Sequence, residues 1–494
     1  MAALAVPLAL PSGATATIHT PYRAAAPDAP SGSTHTLMLA PLATSGRALG
    51  SPLTEGLTER SVKPFSLLGV TWDDARTDLE GTVQVRTRAV GTGAWSAWRD
   101  VESHSEDAPD EGSPEATESG VRGATAPLWV GRCDGVEVRV VPKPAGGVRG
   151  ALPALPKGLR LDMVDPGDDP PGAPSAAPST AGAPPFGADP APEVTPPDPT
   201  DEPVDDPARP GRQDRPGDIG SPGGGTDDPA DTGSTGHPGH TGDTGDTGDT
   251  GDPGDDPGTP VATDPTDTSG TEDELPVVPA LTRSETEALT GRTYIGARPR
   301  IVTRAGWHAD ESLRTEDFLF TDQVDAVFVH HSATGNDYDC ADAPSLIRSI
   351  YRYHINSSGW RDIGYNFLVD KCGTIYEGRG GGVAKAVFGA HTLGFNADSV
   401  GVAVLGTFSD AEPSEEALDA VARLAAWKLG IYGHNPAGTA YLLSGGSNKY
   451  RKGVRVSFNS ISGHRDGFAT ECPGTVLYDD LGYIRRKAAA LQGR

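Results

Sequence analysis

The sequence predicts an α/β domain with a mixed central sheet and flanking helices at its C-terminal end, preceded by a small β-sandwich and a long disordered acidic linker. Three observations predict this. Residues 35–164 alternate polar and apolar positions or cluster β-branched ones, the two-residue period of strands. Residues 165–285 lose almost all apolar character. Residues 286–494 alternate strand-like runs with runs at helical spacing, which gives an α/β domain with a mixed sheet. At 494 residues the chain is also too long for one ordinary domain.

Residues 1–34 form an N-terminal segment. Ala2 to Leu10 followed by Gly13-Ala-Thr-Ala16 resembles the tail of a secretory signal, although the first basic residue is Arg23. In the sandwich, Phe65 to Trp72, Thr82 to Ala89 and Val136 to Val141 read as strands, separated by Gly, Pro and Asp clusters. Trp95-Ser-Ala-Trp98 reads as two aromatics packing a sheet, in preference to a glycan platform. Residues 102–119 are rich in acid and read as an exposed loop. No catalytic constellation is legible in this half.

The net charge of −27 is uneven. Between Asp165 and Glu274 there are 26 Asp and Glu against three arginines, so all but about four of the negative charges fall there. Such a stretch buries too little apolar surface to offset the entropy of ordering. Glycine recurs every third residue from Gly233 to Gly254, the collagen period, but over eight glycines with few prolines. An extended, self-repelling spacer is the expectation. The repeat also lacks the apolar position of calcium-binding β-rolls.

In the last domain Val324 to His330 is a strand. Asp342-Ala-Pro344 opens a helix, with Asp as N-cap and Pro in the first turn. Leu346, Ile347, Ile350, Tyr351 and His354 share one face. Gly364 to Asp370, a turn at Cys372-Gly373, and Thr374 to Glu377 read as a hairpin. Ser399 to Phe408 is a central strand. Pro413-Ser-Glu-Glu416 opens a second helix that stops at Gly430. Val454 to Ser462 is a strand leading to His464, and Asp479 to Leu491 is a terminal helix.

The chemistry concentrates at Gly463-His464 and Glu471-Cys472-Pro-Gly474, where an imidazole and a thiol stand eight residues apart. Both are good zinc ligands. A third ligand lies upstream in Val329-His330-His331. Neighbours on a strand point to opposite faces, so only one of these histidines can join the ion; spacing does not choose. Three protein ligands leave one coordination position for water, as catalysis requires. A structural site with Cys340 or Cys372 as fourth ligand is the competing reading. If Cys472 binds metal, Cys340 and Cys372 are close enough in sequence to form one disulfide, which suits an extracytoplasmic setting. Cys133 is then a small buried apolar side chain.

Residues 298–485 resemble the peptidoglycan recognition proteins, or type 2 N-acetylmuramoyl-L-alanine amidases. The resemblance rests on Arg304-Ala-Gly-Trp307, Val329-His-His-Ser-Ala333, Gly359-Trp-Arg-Asp-Ile-Gly-Tyr-Asn-Phe367, Ile375-Tyr-Glu-Gly-Arg379, Gly389-Ala-His-Thr-Leu-Gly-Phe-Asn396, Ser399-Val-Gly-Val402, Gly463-His-Arg-Asp466 and Glu471-Cys-Pro-Gly474. It implies His330, with His464 and Cys472, as ligands of Zn2+. It implies Tyr365 as the catalytic tyrosine, and Thr470, which stands where the phage enzyme of the family carries lysine, as a second catalytic donor. It implies His354, Gly359, Trp360, His391 and Asn396 as contacts to the muramyl-peptide, with Gly359-Trp360 matching forms that prefer diaminopimelate stems. Asn366 departs from the histidine of many relatives. His331 is expected to be structural, and Arg379 to hold a carboxylate or its own loop.

The expected function is hydrolysis of the amide between N-acetylmuramoyl and L-alanine in bacterial peptidoglycan. The alternative is a peptidoglycan-binding sensor or adhesin with a silent site. The hydrolase reading requires that no other side chain plug the open metal position. Peptidoglycan or muropeptides are the expected partners of a monomer that is secreted, extracellular or cell-wall associated. Lys and Arg gather on no motif, which argues against nucleic acid. No apolar run reaches the length of a membrane span, and no His-Glu-x-x-His helix supports a zinc peptidase.

Overall fold

The computed structural model describes residues 32–42, 54–103, 107–117, 120–143, 154–169, 275–314 and 316–494. The signal-like start and the collagen-like repeat lie outside the described residues.

Among the described residues the N-terminal domain is built of strands and turns. Its strands are β1 (Ser33–Met38), β2 (Ala40–Pro41), β3 (Glu55–Trp72), β4 (Gly81–Ala89), β5 (Arg99–Val101), β6 (Gly123–Ala124), β7 (Leu128–Pro142) and β8 (Arg160–Asp165). They pair antiparallel in the order β1-β8-β3-β7-β4-β5, with β2 and β6 also on β3. Three register shifts interrupt the β3–β7 ladder, and such bulges let a long strand bend so that its sheet folds over its own core. That core holds Phe65, Leu68, Val70, Trp72, Val85, Val138 and Leu161, with Cys133 buried among them. Trp95 and Trp98 lie under arginines: Arg86 stands 5.2 Å and 5.4 Å from the two rings, and Arg139 4.2 Å from Trp98.

The C-terminal domain contains β9 (Val277–Val278), α1 (Arg283–Thr290), β10 (Ile301–Val302), β11 (Ala326–His331), α2 (Ala343–Arg352), β12 (Phe367–Val369), β13 (Ile375–Glu377), β14 (Ser399–Val404), α3 (Glu415–Ile431), β15 (Thr439–Leu443), β16 (Arg455–Asn459), β17 (Ile461–Gly463), α4 (His464–Gly467), α5 (Thr475–Asp479) and α6 (Leu481–Leu491). Order therefore starts before the expected boundary at residue 286, since β9 pairs with β10 and Thr282 caps α1.

The central sheet runs β17-β11-β14-β12-β13-β10-β9. Its middle is parallel: β11 lies between β14 and β17, and β14 pairs with β12. β12 and β13 form the expected antiparallel hairpin, and Cys340 bonds to Cys372 in its turn. The strand expected from Val454 to Ser462 is two strands. β16 pairs with β15 in a separate ribbon, and β17 crosses over to join β11.

The two domains share a core. Leu67, Ala124, Trp129 and Val164 of the first pack with Trp307, Leu346, Ile347, Ile350, Tyr351 and Tyr353 of the second. Gly69 lies under the Tyr353 ring, where a Cβ would overlap it. Residues 102–119, expected as an exposed loop, are a correction: Asp107, Asp110 and Glu115 are buried against the second domain, and Ser113 is buried as well.

Candidate metal centre and groove

Parallel strands end together, and that brings the ligands together. β11 and β17 are hydrogen-bonded neighbours with Val329 opposite Gly463. The next residue on each is a histidine, His330 and His464, and their rings stand 4.5 Å apart. This is the carboxyl end of the strands, where open α/β sheets hold their ligands. The backbone N–H of Gly463 donates to the Asp466 carboxylate, closing the turn that starts α4 at His464. The chain then returns: Arg465 N–H donates to the Cys472 carbonyl, which lays the thiol under the histidines. Thr470 Oγ1 accepts from the Cys472 N–H at 3.1 Å. The result is a buried trio, His330, His464 and Cys472, with ligand atoms all within 4.8 Å of one another.

Of the histidine pair, His330 faces this centre. His331 is buried on the opposite side, where its Nδ1 accepts from the Phe408 N–H and its Nε2 lies 3.4 Å from Glu102. His330 presents Nδ1 to Cys472 Sγ at 3.7 Å, while Nε2 meets the Thr392 hydroxyl at 3.3 Å. That hydroxyl also meets His391 Nδ1 at 3.0 Å. Thr392 thus orients the ligand ring from behind, a role usual around metal-bound histidines and one that no sequence pattern indicated.

Tyr365 is buried with its ring 5.4 Å from His330. A five-residue π-helical turn, Tyr353–Ser357, extends α2 and carries His354; such turns gather at functional sites. His354 Nδ1 accepts from the Gly364 N–H, and its ring stacks 4.4 Å from Trp360. Gly359, at φ 74°, faces the Gly120 carbonyl. The His391 ring sits where side chains on Gly389 or Gly401 would overlap it. Burial, reinforced by the nearby His330, holds its pKa well below the ordinary value. Asn396 Oδ1 accepts from the His391 and Thr392 N–H groups and so shapes their loop.

A carboxylate from the other domain lies against the two histidines. Asp107 Oδ1 lies 3.4 Å from His330 Nδ1 and 3.2 Å from His464 Nδ1, and Asp107 Oδ2 accepts from the Tyr365 hydroxyl at 2.6 Å. A zinc ion with tetrahedral bonds of ordinary length sets its ligand atoms about 3.3–3.6 Å apart. The His330, His464 and Cys472 atoms are grouped within 4.8 Å and suit that ion in kind, and Asp107 Oδ1 stands near that spacing from the two histidine nitrogens. Around a dication, the Cys472 thiolate and the Asp107 carboxylate leave a neutral buried set, which low dielectric favours. The open position that the hydrolase reading requires thus has the Asp107 carboxylate beside it. The Asp107 loop goes on to line the groove. The Asn396 amide donates to Ala108 O and Asp110 Oδ1, Gly394 N–H donates to Asp110 Oδ1, and Arg379 makes a two-pronged ion pair with Glu115. Arg379 thus holds a carboxylate.

Comparison with known proteins accounts for both halves. Residues 23–181 match a family model described as Rv3811 N-terminal galactose-binding domain-like, and residues 320–475 match one described as N-acetylmuramoyl-L-alanine amidase. The chain is 32% identical over 215 residues to the human N-acetylmuramoyl-L-alanine amidase, covering 43% of this chain and 32% of that protein. It spans, then, about a third of that relative's length. It is 32% identical to peptidoglycan-recognition protein SC1a of Drosophila melanogaster, covering 31% of this chain and 69% of the relative. Among solved structures, peptidoglycan recognition protein LE in complex with tracheal cytotoxin aligns at 33% identity, 36% of this chain and 91% of that one, with a TM-score of 0.28. By its C-terminal domain, the chain belongs to the peptidoglycan recognition protein and type 2 amidase family.

Proposed function

We propose that the chain is a zinc-dependent N-acetylmuramoyl-L-alanine amidase acting on bacterial peptidoglycan outside the cytoplasm. The observation that carries this reading is the convergence of His330, His464 and Cys472, two nitrogens and a sulfur, at the ends of two neighbouring parallel strands beside Tyr365. Relatives that only bind have no need of a thiol buried against two imidazoles. Zinc held there supplies a Lewis acid and a water acidic enough to attack an amide at neutral pH.

The chain's own residues do the rest. Tyr365 directs its hydroxyl toward the centre, where it donates to the oxygen that gains charge as the amide carbon becomes tetrahedral. Thr470 fixes the Cys472 backbone through the hydrogen bond it accepts. Thr392 keeps His330 Nε2 occupied, so that Nδ1 remains the ligand atom. His354, Gly359, Trp360, His391 and Asn396 line the groove in which the muramyl-peptide lies. The leaving amine of L-alanine takes up a proton before it departs.

A second reading, a peptidoglycan-binding protein with a silent site, is favoured by one observation: Asp107 in the fourth position. Mass spectrometry of purified muropeptides incubated with the zinc-loaded protein separates the two. New free lactyl and L-alanine amino ends support the amidase. Binding without such ends, in the native chain and in the Asp107→Ala chain alike, leaves only the second reading.

A further inference from the structure

We infer that the N-terminal domain is a built-in inhibitor of the C-terminal one, with Asp107 as a displaceable fourth metal ligand and residues 107–117 as the occupant of the groove. The inference rests on the amidase reading for the identity of the ion, and it assigns a function to the domain that carries none of the metal-binding trio.

Four observations support it. Asp107 is only 5% exposed, and its two carboxylate oxygens divide between the metal centre and the Tyr365 hydroxyl. A carbonyl oxygen undergoing attack must meet the same two neighbours, so the carboxylate stands in for a substrate oxygen. The loop next occupies the groove by polar contacts that a peptide would otherwise make: Ala108 O and Asp110 Oδ1 on the Asn396 amide, and Asp110 Oδ1 on the Gly394 N–H. Glu115 is fully buried on Arg379 and also accepts from the Arg361 N–H. These bonds immobilise a segment that has no regular secondary structure.

The fourth observation is the division of labour in the interface. The domains are held together by an apolar cluster in which Leu67, Trp129 and Val164 pack with Leu346, Ile347 and Ile350, and by bonds such as that from the Trp129 N–H to the Thr334 carbonyl; the loop reaches this cluster where Asp107 meets Tyr365. The loop itself is held by hydrogen bonds and ion pairs. Polar anchors can exchange for water or for an acidic ligand at small net cost, whereas the apolar contact cannot. The loop is thus the part that can leave while the domains stay joined. Occupancy of an internal ligand competes with substrate by its local population, so even a modest docking preference suppresses external binding in proportion.

The test uses the 494-residue chain loaded with Co2+, compared as native, Asp107→Ala and Glu115→Gln forms. Acetohydroxamate, a small metal-binding probe, is titrated while the visible absorption of the cobalt is followed. Circular dichroism and thermal melting establish that each variant is folded. The expected result is that Asp107→Ala binds acetohydroxamate at least about a hundredfold more tightly than the native chain, with Glu115→Gln intermediate. Equal affinities in all three folded forms would overturn the inference, whatever the enzyme then does to muropeptides. A large gain in probe affinity without cleavage by Asp107→Ala supports the inference while defeating the amidase reading. Cleavage at one common rate by native and variant chains does the reverse.

Discussion

The two folded regions meet at one buried centre but contribute to it by different means. The C-terminal domain places His330, His464 and Cys472, the proposed ligands, at fixed points: the ends of two hydrogen-bonded strands and a short return loop tied to one of them. The N-terminal domain supplies one carboxylate from a loop without regular structure, held by polar anchors to the groove. The difference teaches where permanence is needed. A metal trio must keep its geometry whether or not substrate is present, and strand ends provide this. An occupant must be able to go, and a polar loop on an independently docked domain provides that.

The largest expected effect breaks the permanent side. Cys472→Ser removes the one soft ligand. Loss of a residue that merely orients a ligand costs about 10–100-fold in metal affinity, so loss of a ligand itself should exceed that and abolish hydrolysis. Metal analysis after gel filtration checks it, with circular dichroism to show that the fold is kept. Full zinc occupancy and turnover in the variant would remove the thiol from the centre.

Tyr365 belongs to both sides, since its hydroxyl holds Asp107 and is proposed to serve the reaction. In the full chain, Tyr365→Phe has opposed effects: it loosens the occupant and removes a donor. Made together with Asp107→Ala, only the second effect remains. There kcat should fall by about 10²–10³, the usual cost of losing one oxyanion donor, with zinc content unchanged. An unaltered kcat would restrict Tyr365 to holding the loop.

Thr392 sharpens the comparison within the C-terminal domain. It bridges His330 Nε2 and His391 Nδ1. Thr392→Val keeps the shape and loses the bridge, and zinc affinity should fall about 10–100-fold. Competition with a chromogenic chelator measures it.

The centre and the fold around it were unequally legible. Strand β11, the cap and proline of α2, Ser414 capping α3 and the hairpin through Cys372 follow from local pattern, because each is decided by neighbours within a few residues. The choice between His330 and His331 did not follow from pattern, because alternation says only that they diverge. The crossover from β16 to β17 was missed because its one sign is a slip of the apolar alternation at Ser460, from Val454, Val456 and Phe458 to Ile461. Asp107 was illegible for a stronger reason. Its partner Tyr365 is 258 residues away, and acid-rich loops ordinarily lie in solvent. The one available signal was Arg379, a cation in a buried motif that asked for a carboxylate, and nothing in the sequence pointed to Glu115.

The smallest expected effect tests the reversible side through pH. Asp110 is buried between Gly394 and Asn396, and burial raises its carboxyl from 3.8 to about 6 against the pull of the Gly394 N–H, the Asn396 amide and the charge of Lys452. Because the docked carboxyl binds its proton more tightly than the free one, docking is strongest at acid pH and is lost as pH rises from about 4 to about 6. The opposite slope would require a lowered pKa. Hydrogen exchange of the 107–117 amides, corrected for the intrinsic rate, should therefore quicken by at least about tenfold across that interval. Asp110→Asn retains the acceptor for Gly394 but cannot titrate, so its loop should show the same protection at both pH values. A native loop whose protection is level between pH 4 and 6, matching the variant throughout, would show that Asp110 exerts no pH control over docking and would leave the Glu115–Arg379 pair and Asp107 as its anchors.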